Sequence, residues 1–134
     1  YAPGKRMNTT IAPTVIMKDG QAFATLGTPG AMRIIPTMAQ IVTNLIDYGM
    51  GMQEAIEAPR MYCTFLQGPG KTTIELEGTL FPAKTSDDLK ALGYKVKSYD
   101  GRDLYFGGVQ GIILKDGSLH GGADPRRDGA VYGY

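Results

Sequence analysis

Two runs of alternating apolar residues, each interrupted by Lys-Asp-Gly, predict two β-hairpins. The first hairpin comprises residues 14–26 with Asp19-Gly20 at its turn, and the second comprises residues 111–120 with Asp116-Gly117. Asp-Gly favours a two-residue hairpin loop because both of its central positions take positive φ angles. We therefore expect an antiparallel strand pair near each end of the chain.

Between the hairpins the apolar spacing is mostly that of helices. Apolar residues recur every three or four positions over residues 32–48, which predicts an amphipathic helix ended by Gly49. Pro36 requires this helix to start near residue 33 or to kink there. The remaining patterns predict a short helix over 52–58, an edge-like strand over 72–77, a helix over 85–92 and a strand over 94–99.

This order of elements predicts an α+β fold in which a mainly antiparallel sheet carries the helices on one face. The length of 134 residues fits a single domain, residues 1–134, with one core. The other face of the sheet needs a cover that the chain does not obviously supply. Tyr1 is not a start residue and no targeting signal follows it, so we expect a piece of a longer protein.

Composition excludes several classes of partner. The net charge is +1 with scattered basic residues, so we expect no nucleic acid partner, and the short apolar runs predict no membrane contact. Cys63 is the single cysteine, which excludes an internal disulfide and a cysteine-based zinc site. We expect no metal and no cofactor, and the cellular compartment stays open.

The single histidine and the single cysteine do not indicate a catalytic centre. His120 is interpreted as a solvated strand residue and Cys63 as a small buried apolar residue, since neither has a partner group nearby in the sequence. The charged stretch 124–129 is interpreted as an ion-paired or solvated loop rather than a binding site.

Two other segments carry groups that bind anions. Residues 27–32 join a strand to the long helix through small residues, and the N–H groups of such a helix start can hold an anion or an oxyanion. From the pattern alone, a simple strand-to-helix turn is the favoured interpretation, and an anion site is the alternative. Thr9 and Thr10 offer two adjacent hydroxyl donors to a carboxylate without adding charge.

Several motifs occur together in the order and spacing of one enzyme family: residues 3–6, 9–14, 18–20, 27–35, 49, 54–60, 107–110 and 124–130. Across essentially the whole chain they resemble the C-terminal part of the small subunit of gamma-glutamyltransferases, also called gamma-glutamyltranspeptidases. The final Asp-Pro-Arg-Arg-Asp-Gly run, which begins at Asp124, is the most specific of them.

The resemblance implies an N-terminal nucleophile hydrolase with a four-layer αββα sandwich, of which this chain holds a share. In that family a precursor cleaves itself, and the new N-terminal threonine attacks a gamma-glutamyl amide such as glutathione, with its own α-amine as base. The acyl group then passes to water or to an amino acid. By the family pattern, we expect the nucleophile to lie upstream of Tyr1, outside this chain.

The resemblance also implies partners and site residues. The partners are the large subunit of the same precursor and the missing N-terminal part of the small subunit, in a periplasmic, secreted or cell-surface protein. Thr9 and Thr10 fall on a Ser-Ser pair that holds the substrate α-carboxylate, and Gly30 and Ala31 fall on a Gly-Gly pair whose N–H groups form the oxyanion hole. With alanine at position 31, the hole requires ordinary backbone geometry there.

Two alternatives stay open. One is a related acylase that acts on β-lactam or poly-gamma-glutamate substrates, because threonine in place of serine narrows the pocket. The other is a non-catalytic, stand-alone binding domain. We also expect that the fragment alone is inactive and that its uncovered sheet face favours self-association.

Overall fold

The computed structural model describes residues 2–63 and 70–133, and these residues form two β-sheets and three α-helices. The strands are β1 (Thr14–Lys18), β2 (Gln21–Gly27), β3 (Met61–Cys63), β4 (Thr73–Leu76), β5 (Lys95–Ser98), β6 (Gln110–Lys115) and β7 (Ser118–Ala123). The α-helices are α1 (Ile34–Ile46), α2 (Met52–Glu57) and α3 (Ala83–Ala91). Short 3-10 turns occupy Ala31–Arg33, Gly78–Leu80, Leu104–Phe106 and Pro125–Arg127.

The larger sheet is antiparallel and joins the two ends of the described chain. Its strand order is β1-β2-β6-β7, so each predicted hairpin forms one half of it. Both hairpin turns have the expected positive φ angles, 50° at Asp19 and 75° at Gly20, and 52° at Asp116 and 75° at Gly117. The two hairpins and the α+β class are thereby confirmed.

A second, three-stranded sheet corrects the prediction of a single sheet. Strand β4 lies at its centre, antiparallel to β3 and parallel to β5, so the predicted strand over 72–77 is confirmed but its edge-like position is wrong. The alternation misled because Glu75 is a buried polar residue, capped by the hydroxyls of Tyr99 and Tyr105. Strand β3 has three residues, too few to show a period.

Helices α1 and α2 pack on one face of the larger sheet, as predicted, whereas α3 packs against β5 of the smaller sheet, so the prediction that all helices share one face is wrong for α3. Gly122 allows α2 to lie close, since a β-carbon there would stand 2.7 Å from Met52 Cγ. The core between helices and sheet contains Ala24, Leu26, Ile34, Met38, Ile41, Leu45, Met52, Ala55, Ile56, Val109 and Ile113.

The helix boundaries differ slightly from the sequence prediction. Helix α1 begins at Ile34, which places Pro36 in its first turn, where its missing N–H costs nothing. Helix α3 begins at Ala83, two residues before the predicted start, with Pro82 at the N-cap position and Thr85 N donating to Pro82 O at 2.9 Å. No helix among residues 2–63 and 70–133 is long and apolar enough to cross a membrane.

The opposite face of the larger sheet carries exposed apolar side chains. The register places Val15, Thr25 and Ile112 side by side on this face, and Val15 is 62% and Ile112 41% exposed. Leu114 and Leu119 pair across β6 and β7 and are also exposed. The C-terminal segment supplies a partial cover, because Val131 packs over Gly121.

Candidate functional site

Thr9 and Thr10 face the turn at the start of α1 across an open cleft. The cleft has a volume of about 530 Å³ and is lined by Asn8, Thr9, Thr10, Ala31 and Met32. The Thr10 hydroxyl donates a hydrogen bond of 2.9 Å to the carbonyl oxygen of Ala31. The structure therefore brings the threonine pair into direct contact with the Gly30-Ala31 turn, although 21 positions separate Thr10 from Ala31.

The Gly30-Ala31 turn has an unusual backbone. Gly30 has a φ of 145° and Ala31 a φ of 51°, so both have positive φ angles. The expectation of ordinary backbone geometry at position 31 is therefore not met. A left-handed conformation costs an L-residue with a β-carbon about 1–2 kcal/mol. Alanine adopts it here because hydrogen bonds fix both flanking peptides, from Arg33 N to Gly30 O at 3.0 Å and from Ile34 N to Ala31 O.

The turn presents backbone donors at a helix start. Ala31 and Met32 lie in the 3-10 turn that leads into α1, where the helix itself offers no acceptor for the first N–H groups. The positive end of the helix dipole is at the same place. These two properties suit an oxyanion or a carboxylate in the cleft.

Residues 107–108 contact Thr28 and Pro29, which immediately precede the Gly30-Ala31 turn. The Thr28 hydroxyl accepts a hydrogen bond from Gly108 N at 3.0 Å and donates one to Pro29 O at 2.9 Å. Gly107 has a φ of 98°, and a β-carbon there would stand 2.7 Å from Thr28 Oγ1 and 3.2 Å from Pro29 O. Glycine at position 107 therefore allows two distant loops to touch, which accounts for the Gly107-Gly108 motif.

The aromatic side chain of Tyr105 contacts Arg33, the last residue of the 3-10 turn. The Arg33 guanidinium carbon lies 4.0 Å from the centre of the Tyr105 ring, a cation–π contact. The Tyr105 hydroxyl donates to Glu75 Oε1 at 3.0 Å. Burial, reinforced by the bond to Glu75, raises the pKa of Tyr105 above its usual value, so the hydroxyl stays protonated. Nothing local in the sequence relates Arg33 to Tyr105, so this contact is not predicted from the sequence.

Beneath these loops four charged side chains form a buried network. Arg60 is 1% exposed, Asp124 0%, Arg126 7% and Glu77 0%. Arg60 pairs with Asp124 at 2.7 Å, and Arg126 pairs with both Glu77 and Asp124. The ion-paired interpretation of residues 124–129 is confirmed for Asp124 and Arg126, and the solvated alternative is wrong for them. Arg127 and Asp128 are exposed.

The network reaches the turn through the backbone of Phe106. Arg60 Nη1 and the Thr37 hydroxyl both donate to Phe106 O, at 3.0 and 3.1 Å, immediately before Gly107. Burial opposes the charge of Asp124, but Arg60 and the N–H groups of Arg126 and Val109 outweigh it and hold the pKa of Asp124 below its usual value. Asp124 is therefore a charged carboxylate at neutral pH, and it holds the loops that pack against the candidate site.

The remaining candidates lie outside the cleft. His120 is an exposed residue of β7, as predicted, whereas Cys63 is half-buried at the end of β3 rather than fully buried. Among residues 2–63 and 70–133 no group of three or more His, Cys, Asp or Glu side chains could hold a metal ion.

Comparison with known proteins identifies the fold class. Gamma-glutamyltranspeptidase from Pseudomonas nitroreducens complexed with L-DON superposes on the whole chain with a TM-score of 0.84 and 30% sequence identity, and the match covers 67% of that protein's chain. The helix-covered antiparallel sheet thus belongs to the α+β architecture of N-terminal nucleophile hydrolases. The family model for gamma-glutamyltranspeptidase matches residues 1–134, and the chain belongs to that family.

Two relatives carry different names within this family. The chain is 40% identical over 129 residues to the Acylase ACY 1 proenzyme of a Pseudomonas species. This match covers 96% of the present chain and 21% of the relative. The chain is also 38% identical over 134 residues to the glutathione hydrolase proenzyme of Escherichia coli, with 98% and 22% covered. The chain therefore spans about a fifth of the length of these curated relatives.

Proposed function

We propose that this chain is the C-terminal portion of the small subunit of an enzyme that transfers or hydrolyses gamma-glutamyl groups. The observation that carries the proposal is the meeting of Thr9, Thr10 and Ala31, the residue after Gly30, at one cleft. Hydroxyl donors suit the α-carboxylate of a gamma-glutamyl group, and backbone donors at a helix start suit the oxyanion that forms at its amide carbonyl.

The chemistry needs a nucleophile from outside this chain. An N-terminal threonine hydroxyl would attack the gamma-carbonyl, and its α-amine would take the hydroxyl proton and pass it to the leaving amine. The resulting ester would then be cleaved by water, which gives hydrolysis, or by an amino acid amine, which gives transfer. In this scheme the N–H groups of Gly30 and Ala31 stabilise both tetrahedral intermediates.

The proposed partners follow from the incomplete layers. The apolar sheet face with Val15 and Ile112 offers a surface for the missing N-terminal part of the small subunit. A large subunit from the same precursor completes the enzyme, a proposal supported by relatives that are proenzymes about five times as long. We propose residues 1–134 as one structural unit within that assembly.

The isolated 134-residue chain is expected to be inactive and to self-associate, because it has no N-terminal nucleophile and because its apolar sheet face is exposed. A gamma-glutamyl anilide assay and light scattering check the two expectations. Release of the anilide by a pure, monomeric fragment would instead support the stand-alone alternative.

Three anilides with the same leaving group separate gamma-glutamyl transfer from the related acylase activity. Gamma-glutamyl anilide has both the α-amine and the α-carboxylate, glutaryl anilide lacks the amine, and butyryl anilide lacks both groups. For the complete processed protein we expect kcat/KM to be highest for the gamma-glutamyl compound. A preference for the glutaryl compound would favour an acylase, which the similarity to Acylase ACY 1 supports.

The butyryl compound tests the carboxylate site itself. Charge-assisted hydrogen bonds are worth about 1.5–3 kcal/mol, so its loss of the carboxylate should lower kcat/KM about 10- to 100-fold relative to the glutaryl compound. Equal rates for butyryl and glutaryl anilides would remove Thr9 and Thr10 from substrate recognition.

N-terminal sequencing and the intact mass of the same preparation show whether a threonine-initiated subunit and a large partner exist.

A further inference from the structure

The two adjacent threonine hydroxyls have different hydrogen-bond partners. Thr9 Oγ1 accepts a hydrogen bond from Ile11 N at 3.2 Å, and an accepting hydroxyl retains its own proton for another partner. Thr10 Oγ1 donates its proton to Ala31 O at 2.9 Å. A hydroxyl has one proton, so Thr10 cannot donate to a carboxylate while it holds Ala31.

The acceptor of the Thr10 bond lies in the strained part of the turn. Ala31 has a φ of 51°, and its carbonyl oxygen accepts from both Thr10 Oγ1 and Ile34 N. The bond from Ile34 belongs to the helix start itself. The bond from Thr10 comes from a different segment, 21 positions earlier in the chain, and ties that segment to the peptide that follows the proposed oxyanion donors.

Threonine suits this role better than serine does. Its β-branch restricts χ1, so the hydroxyl loses less freedom when it is held in one direction. Alanine at position 31 in turn needs more help than glycine to keep a positive φ. The two residues that differ from the family pattern within this contact, Thr10 and Ala31, are thus the two that the hydrogen bond joins.

We propose, on the basis of the function proposed above, that the hydroxyls of Thr9 and Thr10 have different roles in the reaction. Thr9 is the hydroxyl that binds the acyl carboxylate, and Thr10 is a positioning residue that holds Ala31 in the conformation required for transition-state stabilisation. Thr10 therefore acts on kcat through Ala31, whereas Thr9 acts on substrate binding.

Valine replaces threonine with little change of shape, so Thr9→Val and Thr10→Val in the complete precursor test the division. We expect Thr9→Val to raise KM about 10- to 100-fold with kcat nearly unchanged, because the variant loses a charge-assisted hydrogen bond to the substrate. Thr10→Val should lower kcat about 3- to 10-fold, the value of a neutral hydrogen bond, with a smaller change in KM. Thr10→Ser keeps the hydroxyl and should restore most of kcat.

A double-mutant cycle tests whether Thr10 acts through Ala31. Glycine adopts positive φ freely, so the kcat loss from Thr10→Val should be clearly smaller in an Ala31→Gly background. Thr14→Val is the matched control, because the Thr14 hydroxyl also donates to a backbone carbonyl, Ala12 O at 3.2 Å, but lies outside the cleft. All rates are taken per processed subunit, and Thr10→Ala replaces Thr10→Val if the latter does not accumulate.

The outcomes separate this inference from the proposed function. If Thr10→Val raises KM as Thr9→Val does, with additive effects in the cycle, the positioning role is wrong and the carboxylate site stands. If neither variant differs from Thr14→Val, the carboxylate site and the positioning role both fall.

Discussion

Replacing Asp124 by asparagine is expected to cost the folded protein about 3–5 kcal/mol, because it leaves the buried guanidinium of Arg60 without the carboxylate that it pairs with, whereas Arg126 keeps Glu77. Asp124 is completely buried and pairs with Arg60 and Arg126, and its carboxylate also accepts from Val109 N. A loss of this size is a large part of the 5–15 kcal/mol that typically stabilises a protein. Urea unfolding of the processed protein, or its soluble yield if it does not accumulate, measures the effect.

Asp128→Asn provides the matched control for this substitution. It makes the same chemical change four residues away, at an exposed position with a φ of 50° that asparagine tolerates well. We expect a stability change within about 0.5 kcal/mol there. Equal stability of the two variants would show that the buried network does not hold the fold together.

The same carboxylate sets an acid limit on stability. Because the native pKa of Asp124 lies below its unfolded value, its contribution is complete above the unfolded value and is lost as the pH falls through the native pKa. The unfolding free energy of the wild type should therefore decline from about pH 4 downwards, and Asp124→Asn should show a shallower decline.

Gly107→Ala is expected to abolish most of the activity of the complete enzyme, although residue 107 does not line the cleft. The new β-carbon would stand 2.7 Å from Thr28 Oγ1, in a residue whose φ of 98° already disfavours alanine. We expect relief of the clash to displace Thr28 and Pro29, which lead directly into Gly30. Because a displacement of about 1 Å in a catalytic group costs about 10²-fold in rate, kcat should fall by at least that factor.

Gly101→Ala isolates the backbone contribution to this effect. Gly101 also has a positive φ, 65°, but a β-carbon there would meet nothing within 4 Å. Its activity should stay within about twofold, with a stability cost of about 1–2 kcal/mol. Comparable kcat losses in the two variants would mean that contact between residue 107 and the Thr28-Pro29 segment does not shape the turn.

Local signals in the sequence were sufficient for the hairpins and for α1. Asp-Gly turns and three-to-four spacing act within a few residues, so no tertiary information was needed to predict them. The second sheet depends on the pairing of β4 with β5, which are separated by α3, and on a three-residue strand without a period. Pairings of this kind are decided by packing rather than by local pattern.

The candidate site was recognised through family motifs, but its geometry was not. The positive φ of Ala31 is a backbone conformation that the residue type does not reveal. The hydrogen bond from Thr10 to Ala31 and the stacking of Arg33 on Tyr105 each join positions that are far apart in the sequence. The burial of Asp124 and Arg126 was also missed in part, because a charged run usually indicates a solvated loop.

The most direct test is a crystal structure of the complete, processed protein with a gamma-glutamyl analogue trapped on its nucleophile. We expect the analogue's carbonyl-derived oxygen to lie about 2.7–3.1 Å from a backbone nitrogen of the Gly30-Ala31 turn, with the α-carboxylate on Thr9. An acyl group bound away from this turn, with Thr9 and Thr10 facing solvent, would contradict the account.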